Sequence, residues 1–334
     1  MLTDQFKRPL RDLRISVTDR CNFRCTYCMP EEIFGERYQF LPKSDLLSFE
    51  EITRLSRIFV KLGVTKLRLT GGEPLMRQDI EKLVEQLAAI EGVEDIAMTT
   101  NAYLLPQKAE VLKAAGLKRF TVSLDSLNEE VFQKMNGRRS SVQKVLDGID
   151  AAVAAGFHPI KINCVVQRGV NDHTIVDLAR YFKDRGHIVR FIEYMDVGTM
   201  NGWKLDEVVP AKEIIEKINA VMPLEPQERN YRGEVALRYR YVDGGEMGVI
   251  ASVTQPFCGD CTRLRLSPEG ELFTCLFGTQ GRDLREVVRS GATNEEIEAF
   301  LSNLWSRRAD RYSEERFEMT EPRKAKVEMY HIGG

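Results

Sequence analysis

Residues Leu13-Arg14-Ile15-Ser16-Val17-Thr18-Asp19-Arg20-Cys21-Asn22-Phe23-Arg24-Cys25-Thr26-Tyr27-Cys28 open as an alternating β pattern and run directly into a CxxxCxxC set. Side chains alternate faces along a strand. Leu13, Ile15 and Val17 therefore share one face, and Arg14, Ser16 and Thr18 the other. Three thiolates at this spacing, with no fourth ligand nearby, suit a [4Fe–4S] cluster that leaves one iron open to a small molecule. A closed structural zinc site wants four ligands, and the nearest histidine, His158, is far along the chain. Spacing thus favours a cluster, with zinc or a disulfide as the open alternatives.

The strand-then-helix pattern recurs outward from this stretch. Strand candidates fall at 13–17, 66–70, 96–99, 120–124, 160–166 and 189–194, with helical patterns such as 49–62, 79–90, 107–115, 142–155 and 174–185 between them. Repeated β/α units imply a parallel sheet with right-handed crossovers. The expected fold is α/β: a partial, open TIM-like barrel of about six β/α units over residues 1–195. After Tyr194 the rhythm changes to a helix at 211–219, hairpins at 234–242 with 247–253 and 263–267 with 271–275, and helices at 283–289 and 294–308. Residues 196–334 read as an α+β segment covering the open side of the barrel.

Composition narrows the class. The 334 residues carry a formal net charge of −2, which argues against a nucleic-acid binder. No apolar run approaches a membrane span, and residues 1–8 lack a signal-peptide core. The expectation is a cytoplasmic protein whose seven cysteines sit in a reducing compartment, where metal binding prevails over disulfides.

The polar faces of the strands carry a further message. Arg14, Lys66, Arg68 and Lys161 fall opposite the apolar positions of their strands, beside Thr70, Thr121, Ser123 and Asn163. Ordinary barrel interiors are filled by Val, Ile and Leu, and buried charges need partners. A lumen lined this way points to a bound polyanion, the alternative being half-exposed strands with solvated basic residues. Cys164 falls among Ile160 and Ile162 and reads as a small core residue.

A second set, Cys258-Gly-Asp-Cys261 with Cys275, lies near the other end. Two clusters of three cysteines account for all six, whereas one zinc site leaves two over. Cys21 to Pro30, with the aromatic Tyr27 before the last cysteine, resembles the cluster loop of the radical S-adenosylmethionine (SAM) enzymes. The second cysteine set, Arg11-Asp-Leu-Arg14-Ile-Ser-Val-Thr-Asp-Arg20, Thr70-Gly-Gly-Glu-Pro74, Arg190-Phe-Ile-Glu-Tyr-Met-Asp-Val197 and the terminal Gly333-Gly334 resemble, more narrowly, the GTP 3′,8-cyclase (molybdenum cofactor biosynthesis protein A) family. The likeness covers almost the whole chain.

That resemblance implies two [4Fe–4S] clusters, on Cys21, Cys25 and Cys28 and on Cys258, Cys261 and Cys275. It implies SAM contacts from Tyr27, Gly72, Ser123 and Met195, with Asn163 a further candidate. It implies GTP contacts from Arg14, Arg68, Thr99, Lys161, Arg263 and Arg265, with the guanine at the second cluster. Lys66 and Arg190 are additional triphosphate candidates. The implied reaction is a lyase step, GTP to (8S)-3′,8-cyclo-7,8-dihydroguanosine 5′-triphosphate, which begins molybdenum cofactor biosynthesis. An electron donor and the cyclic pyranopterin monophosphate synthase are the implied partners. Neither nucleic acid nor membrane is expected. Oligomeric state stays open, a homodimer included. The double glycine is expected to thread into the lumen, and His331 reads as a solvated tail residue to be checked against the site. A peptide-modifying radical SAM enzyme with an auxiliary cluster and a zinc-dependent scaffold are the competing readings.

Overall fold

The structure, a computed structural model, describes residues 2–137, 139–318 and 326–333. The first part runs β1 (Asp12–Ser16), α1 (Phe49–Lys61), β2 (Lys66–Thr70), α2 (Ile80–Ala88), β3 (Asp95–Thr100), α3 (Leu105–Ala114), β4 (Arg119–Ser123), α4 (Glu129–Asn136), α5 (Val142–Ala154), β5 (Lys161–Val166), α6 (Ile175–Lys183) and β6 (Ile188–Glu193). The remainder runs α7 (Ala211–Asn219), β7 (Leu224–Gln227), β8 (Leu237–Tyr241), β9 (Glu246–Ile250), β10 (Arg263–Leu266), β11 (Glu271–Phe273), β12 (Arg282–Asp283), α8 (Arg285–Arg289), α9 (Asn294–Ser306), α10 (Tyr312–Glu315) and α11 (Met329–Ile332).

Local signals explain these elements. Ser48 accepts from the Glu51 amide while the Glu51 side chain accepts from the Ser48 amide, a capping box that starts α1. Ile52, Leu55, Ile58 and Phe59 then recur at helical spacing and are buried. Thr293 and Glu296 repeat the device at α9. On β1 and β2 the outward Leu13, Ile15, Leu67 and Leu69 are fully buried in the core against the helices. Their alternates, Arg14 and Arg68, face the lumen.

Strands β1 to β6 are parallel in sequence order, as a (β/α) barrel requires. The later segment does more than cover the opening. β10 adds in parallel to the free edge of β1, and β9 adds in parallel to the free edge of β6. The hairpin partners β11 and β8 continue outward, giving the order β12-β11-β10-β1-β2-β3-β4-β5-β6-β9-β8-β7. β9 and β10 do not pair, so the barrel stays open. Both expected hairpins form. Five elements escaped the sequence reading: α4, whose Glu-Glu-Val-Phe-Gln-Lys-Met-Asn buries few residues; β7, an edge strand containing Pro226; the two-residue β12; and the four-residue helices α10 and α11. Among the described residues no helix is long and apolar enough to cross a membrane. Gly334 of the expected tail lies outside the described residues.

Candidate active site

The C-terminal ends of the parallel strands carry the loops that build the site, as in other barrels of this kind. Cys21, Cys25 and Cys28 follow β1 and are half-buried. Arg24 braces their loop, donating from Nε to Phe34 O at 2.6 Å and from Nη1 to Cys21 O and Phe23 O at 2.8 Å. Burial pushes the Cys21 thiol up to about 12, and raises Cys25 and Cys28 as well. Three half-buried sulfurs that resist ionisation alone form a donor set that a cationic metal centre would complete. Among the described residues, the three-donor group gathered within 4.8 Å is Glu269, Glu271 and His331.

The Gly71-Gly72-Glu73 turn after β2 is joined to the cysteine segment. Gly72 N donates to Thr18 O and Glu73 N to Arg20 O, both at 2.8 Å. A Cβ on Gly71 would meet Thr18 O at 2.5 Å, and one on Gly72 would overlap Arg20 O. Only glycine permits this approach. Glu73 is buried, accepting from Thr100 Oγ1 at 2.8 Å, Leu75 N at 3.0 Å and Asn101 N at 2.8 Å. Burial outweighs those donors and lifts its carboxyl to about 7. Tyr27 donates to Asp125 Oδ2 at 2.8 Å, and Val165 N to Asp125 Oδ1 at 2.8 Å. Burial raises Asp125 to about 6. Ser123 and Asn163 stand in register on β4 and β5 and line the same chamber as the three cysteines, Gly72, Tyr27 and Met195.

The lumen beyond is cationic. Arg265, Arg14 and Arg68 occupy matching positions on β10, β1 and β2, and the same level continues through Ala97 to Arg119. Burial, then Arg265, Arg263 and Arg68, hold Arg14 well below its usual range. Burial and then Arg119 bring Arg68 to about 10; burial, Arg68 and Arg119 bring Arg190 to about 9. Arg68 Nη1 donates to Thr99 Oγ1 at 3.1 Å and Thr121 Oγ1 at 3.2 Å, and Arg190 Nε to Asn163 Oδ1 at 2.9 Å. Lys66 Nζ sits 3.2 Å from the centre of the Tyr231 ring. Lys161 stands slightly apart from this chamber, but burial followed by Arg190 and Arg119 lowers it to about 8.

The second cysteine set closes the far side. Cys258, Cys261 and Cys275 border one chamber with Arg263, Arg265 and Arg308. Burial opposes ionisation of Cys261, but Arg263 and Arg308 prevail and draw it down to about 6. Arg263 Nε and Arg265 Nε are buried without an acceptor among the described residues. Met195 borders all three chambers, and Thr99 and Asn163 are shared by the lumen and the first.

The comparisons agree with this architecture. Residues 15–182 match the radical SAM superfamily model and residues 187–314 the Molybdenum Cofactor Synthesis C model. A GTP 3′,8-cyclase of Acidothermus cellulolyticus is 54% identical over 100% of this chain and 99% of its own length. Those of Staphylococcus carnosus and Xanthomonas axonopodis pv. citri are each 50% identical with the same coverage. The chain belongs to the GTP 3′,8-cyclase family. Among solved structures, Streptococcus suis SuiB bound to its precursor peptide SuiA superposes with a TM-score of 0.60 at 16% identity, over 88% of this chain and 67% of that one. At that identity the likeness is one of fold.

Apart from Lys161, the residues expected from the family resemblance line three chambers that share Met195 as a wall. Cys164 is buried in the core as expected, its thiol near Asp125 O at 3.4 Å. His331 departs from expectation. It is not a solvated tail residue: its Nε2 lies 2.6 Å from Glu269 Oε1, and its side chain is 21% exposed. Against the cost of burial, Glu269 holds it above the usual histidine range. Asp125, Asn101, Arg119 and Tyr231 were not singled out from sequence. Asp125, two positions beyond Ser123 on the same strand alternation, offered a signal; Tyr231 lies in an irregular segment and offered none.

Proposed function

We propose that this chain is a radical SAM lyase converting GTP to (8S)-3′,8-cyclo-7,8-dihydroguanosine 5′-triphosphate, the first step of molybdenum cofactor biosynthesis. The observation that carries the reading is the in-register row Arg265–Arg14–Arg68 between two cysteine triads. This cationic row, half-buried at Arg14 and Arg68 and buried at Arg265, with Lys66 and Arg190 beside it, exceeds what Asp12 and Asp95 in the same chamber can balance. It calls for a polyanionic ligand, and a nucleoside triphosphate is one.

On this reading residues 1–195 hold SAM and the first cluster, on Cys21, Cys25 and Cys28, while 196–334 carry the second, on Cys258, Cys261 and Cys275. The clusters and SAM, when bound, would supply the reducing electron and the hydrogen-abstracting radical chemistry that joins ribose C3′ to guanine C8. The protein binds, orients and excludes. Arg14, Arg68 and Lys161, with Lys66 and Arg190, receive the triphosphate. Thr99, bonded to Arg68, sits at the wall shared with the SAM chamber. Arg263 and Arg265, whose Nε donors lack acceptors among the described residues, meet the nucleotide near the second triad. Tyr27, Gly72, Ser123, Asn163 and Met195 line the SAM side, and the Glu73 carboxylate there favours an ammonium group. The reaction takes its electron from a separate donor, and its product passes to the cyclic pyranopterin monophosphate synthase. The seven unpaired thiols support a cytoplasmic setting.

The test is anaerobic incubation of reconstituted protein with SAM, dithionite and GTP, assaying 5′-deoxyadenosine and a cyclised nucleotide. Cys25→Ser is expected to abolish SAM cleavage. Cys261→Ser is expected to keep the first cluster and lose nucleotide conversion. Undiminished conversion in the Cys261 variant would overturn the two-cluster assignment.

A further inference from the structure

Asp4, Arg8 and Arg308 form a buried network against the outside of the second cysteine set. Asp4 Oδ2 accepts from Arg8 Nε at 2.6 Å and from Arg308 Nη1 at 3.1 Å, and no side chain of the three is more than 1% exposed. Each arginine continues into the cysteine-bearing segments. Arg8 Nη1 donates to Cys258 O at 2.7 Å and to Asp310 O at 2.9 Å. Arg308 Nη1 donates to Cys261 O at 2.8 Å, and its Nε to Thr274 O, the residue before Cys275, at 3.0 Å. Arg308 Nη2 reaches Cys261 Sγ at 3.2 Å. Trp305 completes the packing: its Nε1 donates to Arg8 O at 3.1 Å, and the Arg308 guanidinium lies 4.6 Å from the centre of its ring.

This arrangement is a poor device for stability alone. Two guanidinium groups share the Asp4 carboxylate out of solvent, and Arg308 Nε lies 3.5 Å from Oδ2 of the partly exposed Asp310; desolvation there consumes much of the attraction, and apolar residues of similar volume serve as well or better. Its geometry is particular in another way. The fork of fixed donors that arginine offers, and lysine does not, is spread over the backbone at all three cysteine positions and over one sulfur.

We propose that Asp4, Arg8 and Arg308 are positioning residues for the second cluster. Arg8 and Arg308 fix the three cysteine segments at cluster spacing, Asp4 orients both arginines, and Arg308 tunes the cluster through its N–H···S bond to Cys261. The proposal rests on the two-cluster reading above. Hydrogen bonds to cluster sulfurs and nearby positive charge stabilise the reduced state and raise the potential. Arg308 is thus the tuning group, and Asp4 acts through it.

The experiment is a potentiometric titration followed by electron paramagnetic resonance, with iron and sulfide analysis, on the full-length protein reconstituted anaerobically. The samples are wild type, Arg308→Lys, Arg308→Gln and Asp4→Asn, with the first cluster's signal as internal reference. Arg308→Lys loses the fork but keeps the charge; its second-cluster reduction equilibrium is expected to fall about tenfold, some 59 mV for one electron. Arg308→Gln, which also loses the charge, is expected to fall further. Asp4→Asn is expected to lower occupancy of the second cluster while the first stays full. Variants with both clusters full at wild-type potentials would overturn the proposal alone, as would variants losing both clusters in parallel, which would make the network a general fold element. Wild-type protein holding only one cluster would overturn the two-cluster reading and the proposal with it.

Discussion

Gly333, on the C-terminal tail, lies against Thr70 at the end of β2: a Cβ on the glycine would meet Thr70 Oγ1 at 2.6 Å and overlap its Cγ2. Its φ of 73° and ψ of 127° fall where residues with side chains are strained. The approach is held on both sides. Lys326 pairs with Asp196 at 2.6 Å, Glu328 accepts from Thr199 N at 2.8 Å, and Tyr38 and Tyr330 join hydroxyls at 2.8 Å. The tail is therefore docked beside the turn that carries Glu73.

Gly333→Ala is expected to displace the tail at a cost of about 1–3 kcal/mol. GTP conversion should drop while both clusters assemble and SAM is still cleaved without product. Thr70→Ser in the same chain should restore part of the conversion by removing the clashing methyl. Parent-rate conversion by the Gly333→Ala single variant would show that the docked tail has no part in the reaction.

Glu73→Gln tests the acidic limb of SAM binding. With its carboxyl lifted to about 7 by burial, Glu73 is charged above that pH and protonated below it. SAM affinity, measured by equilibrium dialysis, should weaken as pH falls through about 7. The glutamine variant should bind more weakly at pH 8 and lack that pH dependence.

Arg68→Ala is expected to weaken GTP binding about tenfold or more, because hydrogen bonds to charged groups contribute about 1.5–3 kcal/mol. SAM binding should change far less. Isothermal titration with each ligand separates the two; equal losses for both would mean that Arg68 supports the barrel rather than the nucleotide.

Lys161 sets an alkaline limb. Lowered to about 8 by burial and by Arg190 and Arg119, it loses its charge as pH rises through that value, so GTP affinity should decline above about pH 8. Lys161→Arg should move the decline to higher pH, since a guanidinium holds its proton more tightly than an ammonium. A wild-type affinity constant from pH 7 to 9 would remove Lys161 from the binding set.

The six β/α units, the face each side chain takes along its strand and the polar lumen were legible in the sequence because each depends on local periodicity. Leu13 and Ile15 against Arg14, or Ile160 and Ile162 against Lys161, assign faces without knowledge of the rest of the chain. The cysteine spacings likewise singled out two candidate metal-binding loops, since ligand spacing within a loop is a local property. Tertiary structure decided what joins distant segments. That β9 and β10 extend opposite edges of one sheet, and so bring Arg265 level with Arg14 and Arg68, follows from strand order, which periodicity does not encode. The meeting of Asp4 with Arg308 and of His331 with Glu269 spans long stretches of chain. Such pairs exist only once the core has closed, because burial, not sequence neighbourhood, sets which charges must find each other.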